Sequence, residues 1–340
     1  MNITTLGIDI AKSVFQLHGT NEHGKVELRK RLRRDQLLTY MAKLPPCLVG
    51  MEACGGAHYW ARKFQAYGHT VKLIAPQYVK PYVKTNKNDY NDAEGINEAV
   101  GRPSMRFVGI KALWQQDIQT LHRARSRLMQ MRNMLSSHTR GLLAEYGIVI
   151  PKQIGQLRAK LPLILEDAAN GLSASMRALF ADLYEQLQEL DKRLLEKDKQ
   201  VLAIHRESEL SQRLGEIEGV GPLTATAYIA AVGDAKVFNR GRDCSAWLGL
   251  VPRQYSTGGK TILGRISKRG DRYLRTNLIH GARSVISRAD NKTDARSRWI
   301  QQLKSRVGMN KACVALANKN ARIMWAIMAS GERYRASEQV

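Results

Sequence analysis

Residues 5–18, Thr-Leu-Gly-Ile-Asp-Ile-Ala-Lys-Ser-Val-Phe-Gln-Leu-His, constrain the N-terminal fold more than any other stretch. They read as a β-strand, a tight turn and a second strand. The two-residue period puts Leu6, Ile8 and Ile10 on one side of the first strand and Asp9 on the other, near the strand's end. A carboxylate held there needs something positive to meet it. Alone it is equally an exposed strand-end residue, so the remaining chain must decide.

Residues 1–110 alternate strand and helix signals. Asp35 to Leu44 reads as a helix stopped by Pro45-Pro46. Cys47 to Met51 is a short buried strand running into Glu52. Gly55-Gly56 turns into a helix from His58 to Tyr67, and Thr70 to Ile74 is another strand. Helices between strands imply parallel pairs with right-handed crossovers. Asp9 and Glu52 then both sit at carboxyl ends of strands, the edge where α/β sheets build sites.

From Pro76 to Glu94 the texture changes. Lys80, Lys84 and Lys87 run beside Tyr78 and Tyr82, a pattern that suits a nucleic-acid backbone and stacked bases; a solvated loop is the plainer alternative. Asp89 and Asp92 follow, three apart at a helix start and therefore on one face. An isolated pair of this kind is usually a helix cap. Asp9, Glu52, Asp89 and Asp92 together are a different matter, because clustered carboxylates cannot all ionise without cations. Hard oxygen donors favour Mg²⁺, with Mn²⁺ as a substitute. Two such ions, about 3.5–4 Å apart, clamp a phosphodiester for in-line displacement.

The charge balance points the same way. The chain has 54 Lys+Arg against 30 Asp+Glu, a net +24, and residues 251–340 hold 19 of the former against 5 of the latter. Such an excess repels itself unless an anionic partner neutralises it; nucleic acid is the commonest, and an acidic membrane surface is the alternative. No apolar run reaches the ~18 residues of a transmembrane helix, and the partners expected are nucleic acids, with no membrane among them. Cys47, Cys54, Cys244 and Cys313 are scattered without a CxxC, which argues against zinc and a disulfide framework and fits a reducing cytoplasm.

Three stretches, GIDIAK, MEACGG and KNDYNDAE, occur in an order that resembles the DEDD signature of the insertion-sequence transposases of the one-hundred-and-ten family. The resemblance extends over nearly the whole chain. It implies a RuvC-like, ribonuclease-H-type N-terminal domain in which Asp9, Glu52, Asp89 and Asp92 hold Mg²⁺. It also implies donor and target DNA as substrates, a structured noncoding bridge RNA as guide, and action at the bacterial nucleoid.

In residues 111–205, Leu121, Leu128, Leu135 and Leu142 recur every seven residues. Met176, Leu179, Leu183, Leu187, Leu190, Leu194 and Val201 follow a three-and-four spacing. Both read as long amphipathic helices forming a coiled coil. Arg123, Arg125, Arg127, Arg132 and Arg140 decorate the first. The pair is either a hairpin with a solvated face or a dimerisation arm that also touches nucleic acid.

Residues 206–340 open with Ile217-Glu218-Gly219-Val220-Gly221-Pro222, which resembles a helix-hairpin-helix. Its glycines could let the backbone approach a phosphate, or could simply turn the chain. Farther on, Ser256 lies in what reads as a glycine-flanked loop, among Arg253, Lys260, Arg265, Lys268, Arg269, Arg272 and Arg275. Seven cations imply several phosphate contacts and could stabilise developing charge in phosphoryl transfer. The family's C-terminal domain carries a serine that forms a covalent phosphoserine with DNA, and the resemblance places that role on Ser256, with Thr257 next to it. Exchange of strands on two duplexes then requires several subunits, from dimer to tetramer. Three helices close the chain, roughly 272–288, 293–307 and 310–329, with Trp299 and Trp325 expected in the core.

The fold expected is thus α/β plus α: a RuvC-like domain over 1–110, a helical coiled-coil middle over 111–205 and a mainly α-helical C-terminal domain over 206–340. The main competing activity is a metal-dependent endonuclease that uses the same acids with water as nucleophile. A sugar-kinase-like ATPase has no use for the +24 charge, and a purely binding, RNA-packaging protein has none for the four acids.

Overall fold

The computed structural model describes residues 2–83 and 89–335. It divides into two compact units, Met1–Ala112 and Leu113–Val340.

The first unit is built on a mixed sheet. Its strands are β1 (Thr5–Ile10), β2 (Val14–Thr20), β3 (Val26–Arg33), β4 (Leu48–Glu52), β5 (Thr70–Ile74) and β6 (Phe107–Val108). The helices are α1 (Arg34–Lys43), α2 (Ala57–Ala66), the single turn α3 (Pro76–Val79) and α4 (Asp89–Val100). The strand order is β3-β2-β1-β4-β5-β6. β1 pairs antiparallel with β2 and parallel with β4, and β4 parallel with β5. This antiparallel hairpin joined to parallel strands is the ribonuclease-H-type arrangement expected from the sequence. Leu6 and Ile8 are fully buried with Phe15, Leu17, Met51, Trp60 and Phe64 on one face of the sheet.

The other face carries α4, and two glycines let it come close. A Cβ on Gly7 would stand 2.2 Å from the Ala93 carbonyl oxygen and 2.5 Å from the Asn97 nitrogen, and one on Gly50 would stand 2.8 Å from Val100 Cβ. Backbone, unlike a side-chain tip, cannot swing away. Gly7→Ala is therefore expected to push α4 off the sheet and lower stability by about 1–3 kcal/mol. Gly55→Ala, where a Cβ meets nothing within 4 Å, is the control. Urea-unfolding midpoints that move equally in the two variants would rule out this packing.

The second unit holds α5 (Leu113–Ala144), α6 (Ile154–Glu166), α7 (Ala174–Glu207), α8 (Glu209–Gly215), α9 (Pro222–Val232) and α10 (Gly241–Trp247). A two-stranded ribbon follows, β7 (Pro252–Thr257) and β8 (Lys260–Ile266), then α11 (Arg272–Ile286), α12 (Ala295–Val307) and α13 (Met309–Ser330). The long helices α5 and α7 lie along one another and both also pack on α9. α7 runs through residues 205 and 206 without interruption. His122 of α5 makes hydrogen-bond contacts through Nε2 with Thr226 Oγ1 at 3.0 Å and through Nδ1 with Tyr273 Oη at 3.1 Å, joining α5 to the C-terminal helices. Burial, then the neighbouring Arg125, lowers the pKa of His122 to about 4, so this buried imidazole is neutral.

The heptad leucines take a different place from the one their spacing suggests. Leu121, Leu128, Leu135 and Leu142 are only half-buried. The residues of α5 turned fully inward are Gln115, Ile118, His122, Ser136, Thr139 and Leu143. Of the arginines on this helix, Arg125 pairs with Asp198 and Arg132 lies 3.6 Å from Asp191, both on α7. Arg140 donates to Ser136 and to the Lys152 carbonyl. Arg123 and Arg127 stay exposed.

α9 is buried nearly all round, with Ala225, Ala227 and Ala230 in the core around Tyr228, as its small residues require for close helix packing. The glycine turn before it serves packing as well. A Cβ on Gly219 (φ +85°) would meet the Gly281 carbonyl oxygen at 2.9 Å. Gly221 faces open space.

Candidate acidic site and nucleic-acid interface

The acids are brought together by register and by α4. β1 and β4 pair Gly7 with Gly50 and Ile8 with Met51. Asp9 and Glu52 are the next residues on each strand. By the two-residue alternation they share the face of Gly7 and Gly50, the face on which α4 lies. Asp92 precedes Ala93, the residue whose carbonyl touches Gly7, so the first turns of α4 sit over the carboxyl ends of both strands. Asp89 begins that helix; its side chain, like Lys84 and Lys87 entirely, lies outside the described residues.

The electrostatics record the convergence. Burial, then Asp9, then Asp92 raise the pKa of Glu52. The Cys54 thiol is raised by burial first and then by Glu52 and Asp9. Glu52 therefore lies in the negative field of two other carboxylates, and that repulsion falls when a cation enters. Among the described residues no three such groups close into a finished cation cage. The fit to a divalent ion is one of donor type and charge: hard carboxylate oxygens, crowded, at the end of a sheet.

One residue that fixes the site escaped the sequence reading. Asn97, 8% exposed, donates through Nδ2 to the carbonyls of Thr5 (3.0 Å) and His18 (3.1 Å), and its Oδ1 accepts from Thr20 Oγ1 at 3.2 Å. The amide thus fastens α4 to β1 and β2. The signal was an Asn four residues after Ala93 on an otherwise apolar helix face, where an unsatisfied amide would be costly.

Lys80 is exposed at the end of α3. The aromatics beside it are not free platforms. Tyr78 and Tyr82 pack against a small core of Ile74, Val79, Ile96, Ala99 and Val100, and the Arg102 guanidinium lies 5.7 Å from the Tyr82 ring.

Ser256 is not in a loop but in a strand. It sits in β7 opposite Thr261 of β8, and Thr257 opposite Lys260. Gly258 (φ +53°) and Gly259 (φ +77°) make the two-residue turn between them, with the left-handed backbone that such hairpins require. Gln254 Nε2 donates to Ser256 Oγ at 2.7 Å, and Ser256 Oγ stands 3.4 Å from Thr261 Oγ1. Thr257 faces the opposite side of the ribbon by alternation. Every residue from Pro252 to Arg265 is exposed, including Tyr255, Ile262 and Leu263 at more than 60%.

The root of this ribbon is held firmly. Ser267 N donates to the Val251 carbonyl at 2.8 Å and Lys268 N to the Gly249 carbonyl at 3.2 Å. Asn318 Nδ2 donates to the Leu250 carbonyl. Arg253, Lys260, Arg265, Lys268, Arg269 and Arg272 are all exposed. Arg275 differs from them. It is buried, and its Nη1 donates to the carbonyls of Leu248 (2.9 Å) and Arg269 (3.0 Å). Its donors hold the ribbon's base rather than facing solvent, so the expected phosphate contact at this position gives way to a structural role.

A sheet of this order with acids at its carboxyl edge, followed by a mainly helical unit, is the architecture of a DEDD-type transposase. Comparison with known proteins narrows the class. A DEDD transposase model of the IS110 group matches residues 6–148, and the model described as transposase IS116/IS110/IS902 family matches residues 211–298. A probable family 20 transposase of Pseudomonas aeruginosa is 51% identical over 336 residues, 98% of this chain and 99% of that protein. The transposase for insertion sequence element IS1111A of Coxiella burnetii is 48% identical over 334 residues, covering 98% and 92% of the two chains. The transposase for IS1328 of Yersinia enterocolitica is 41% identical over 335 residues, covering 97% and 98%. The chain belongs to the IS110/IS116/IS902 family of transposases. No helix among the described residues is long and apolar enough to cross a membrane.

Proposed function

We propose that the protein mobilises an insertion sequence by cleaving and rejoining DNA through a covalent serine–DNA intermediate. The observation that carries the reading is the gathering of Asp9, Glu52 and Asp92 at one sheet edge, in a chain whose residues 6–148 and 211–298 match transposase family models.

In this mechanism Ser256 Oγ attacks a backbone phosphorus. A phosphoserine ester forms, a P–O bond to deoxyribose breaks, and the serine's proton leaves with the departing oxygen or a base. The exposed cations Arg253, Lys260, Arg265, Lys268, Arg269 and Arg272 seat the strand and offset charge gathering on the phosphate. Lys80, Lys84 and Lys87 supply further cations for nucleic-acid backbone. Asp9, Glu52, Asp89 and Asp92 would hold Mg²⁺, or Mn²⁺ in its place. A bound divalent ion supplies Lewis-acid polarisation of phosphate oxygens. A bridge RNA chooses donor and target by base pairing, which leaves the protein to read backbones and accounts for a +24 charge with no base-reading motif. Half-buried leucines on α5, with Met131 and Met134 exposed beside them, are the stripe through which two copies associate, and two such dimers supply the serines for a full exchange.

The test is a denaturing gel of purified protein with RNA from the element's ends, Mg²⁺ and labelled donor and target DNA. A protease-sensitive shifted band is expected. Cleaved DNA without attached protein would replace this reading with the endonuclease that uses water.

A further inference from the structure

A second basic site lies among the C-terminal helices and uses none of the cations assigned to nucleic acid so far. A cavity of about 580 Å³ opens between the start of α10, α12 and α13. Arg240, Arg242, Lys319 and Arg322 line it together with the indoles of Trp299 and Trp325, and no carboxylate is among its lining residues. Both tryptophans are half-buried, so each shows part of its ring to the cavity instead of being lost in the core. Trp325 Nε1 donates to the Ala235 carbonyl at 3.0 Å, which fixes that ring. Lys319 Nζ lies 4.3 Å from the centre of the Trp299 ring.

The charge here is under-compensated. Arg240 has Asp243 at 3.5 Å. Lys319 is pushed below the usual lysine range by burial, with Arg296 and then Arg322 adding to the shift. An anion in the cavity would reverse that balance. A single inorganic phosphate would leave most of the volume empty, whereas cavities of this size take ligands of nucleotide dimensions. Cations combined with aromatic walls are the chemistry of single-strand binding, where guanidinium groups take the phosphate and rings take the base. A stacked base pair cannot enter such a cavity, so the base must be unpaired.

We propose that this cavity is a site for one unpaired nucleotide of a bound strand, its phosphate among Arg240, Arg242, Lys319 and Arg322 and its base against Trp299 and Trp325. The assignment rests on the reading of this protein as an enzyme that acts on nucleic acid. DNA and RNA share the chemistry involved, and a displaced DNA strand or an unpaired guide nucleotide would satisfy it.

The experiment measures binding of the full chain to labelled twelve-nucleotide single strands, as DNA and as RNA, and to the matching duplex, over a salt series. The variant is Arg242→Glu/Arg322→Glu. Both positions are exposed, and an unchanged melting curve checks the fold. Single-strand affinity is expected to fall at least ~10-fold with a salt slope shallower by about 1–2, while duplex affinity changes less than about threefold. Loss on both strand types supports the shared chemistry, and loss on one names the source. A strand made abasic throughout is expected to bind wild-type protein about 10-fold more weakly. Equal single-strand affinity in variant and wild type overturns the site while leaving nucleic-acid binding intact. Equal binding of the abasic strand overturns the place given to the base. Oligo-glutamate displacing the strand from wild type, but not from the variant, would make this an acidic-peptide site instead. Wild-type protein that binds no nucleic acid overturns the underlying reading as well.

Discussion

Ser256→Ala is expected to remove the covalent protein–DNA band altogether, a loss of ~10⁴-fold or more in strand transfer, on the scale of deleting a nucleophile elsewhere. The chain should stay folded and still bind RNA. Ser256 lies on an exposed strand, and its Oγ has its hydrogen-bond partners, Gln254 and Thr261, within the same ribbon. Stability should therefore change by no more than about 0.5 kcal/mol. Thr257→Ala is the matched control, because Thr257 presents its hydroxyl on the other face of the ribbon. If the adduct survives in Ser256→Ala and vanishes in Thr257→Ala, the nucleophile is the threonine. If it survives in both, the ribbon does not attack DNA.

The second large effect pairs lost activity with gained stability. Glu52→Gln is expected to reduce Mg²⁺-dependent cleavage by ~10³-fold or more. In metal-free protein the same change should raise the melting temperature near neutral pH. The folded pKa of Glu52 is raised above its ordinary value of 4.5 by burial, Asp9 and Asp92. Below the unfolded value the carboxyl is protonated in both states and no penalty exists. As pH rises from there through the raised folded value, the folded state must give up a proton it holds more tightly, and stability is lost. Wild type and variant should thus converge in acid, diverge toward neutrality and approach one another again when Mg²⁺ is added. Thermal melts across pH, with and without Mg²⁺, measure this. A variant less stable than wild type at pH 7 without metal would mean that Glu52 is not crowded by like charge.

The parts of the candidate acidic site were legible because each announces itself separately. Strand ends are visible as alternation that stops, and Thr70–Ile74 is a strand over the very residues its pattern marks. The first turn of α4 is visible as paired acids. What binds these parts was not legible. Asn97 works through three long-range hydrogen bonds, and no local pattern reveals partners so distant in sequence. The ribbon was missed for the opposite reason. Neither of its faces is buried, so Pro252–Ile266 lacks the apolar alternation by which strands are recognised, and only Gly258-Gly259 hinted at a hairpin. Arg275 was grouped with its neighbours because a count of charge is blind to burial. The leucine heptad misled as to facing: the inward side of α5 is largely polar, so a search for apolar repeats finds the line beside it.

The ribbon's construction has a consequence for when the protein can act. Two strands without a third, and with no buried face, have little stability of their own; only the root, clasped by Arg275, Asn318 and Val251, is fixed. In the proposed mechanism the serine is therefore carried on a tether, not set in a mould. Catalysis by charge stabilisation needs donors fixed in advance, and a lone protomer does not provide them around Ser256. In that mechanism assembly on nucleic acid would supply the rigidity. Under that mechanism the arrangement would act as a safety catch: a protomer not yet assembled on its guide and its duplexes would carry an ordinary alcohol.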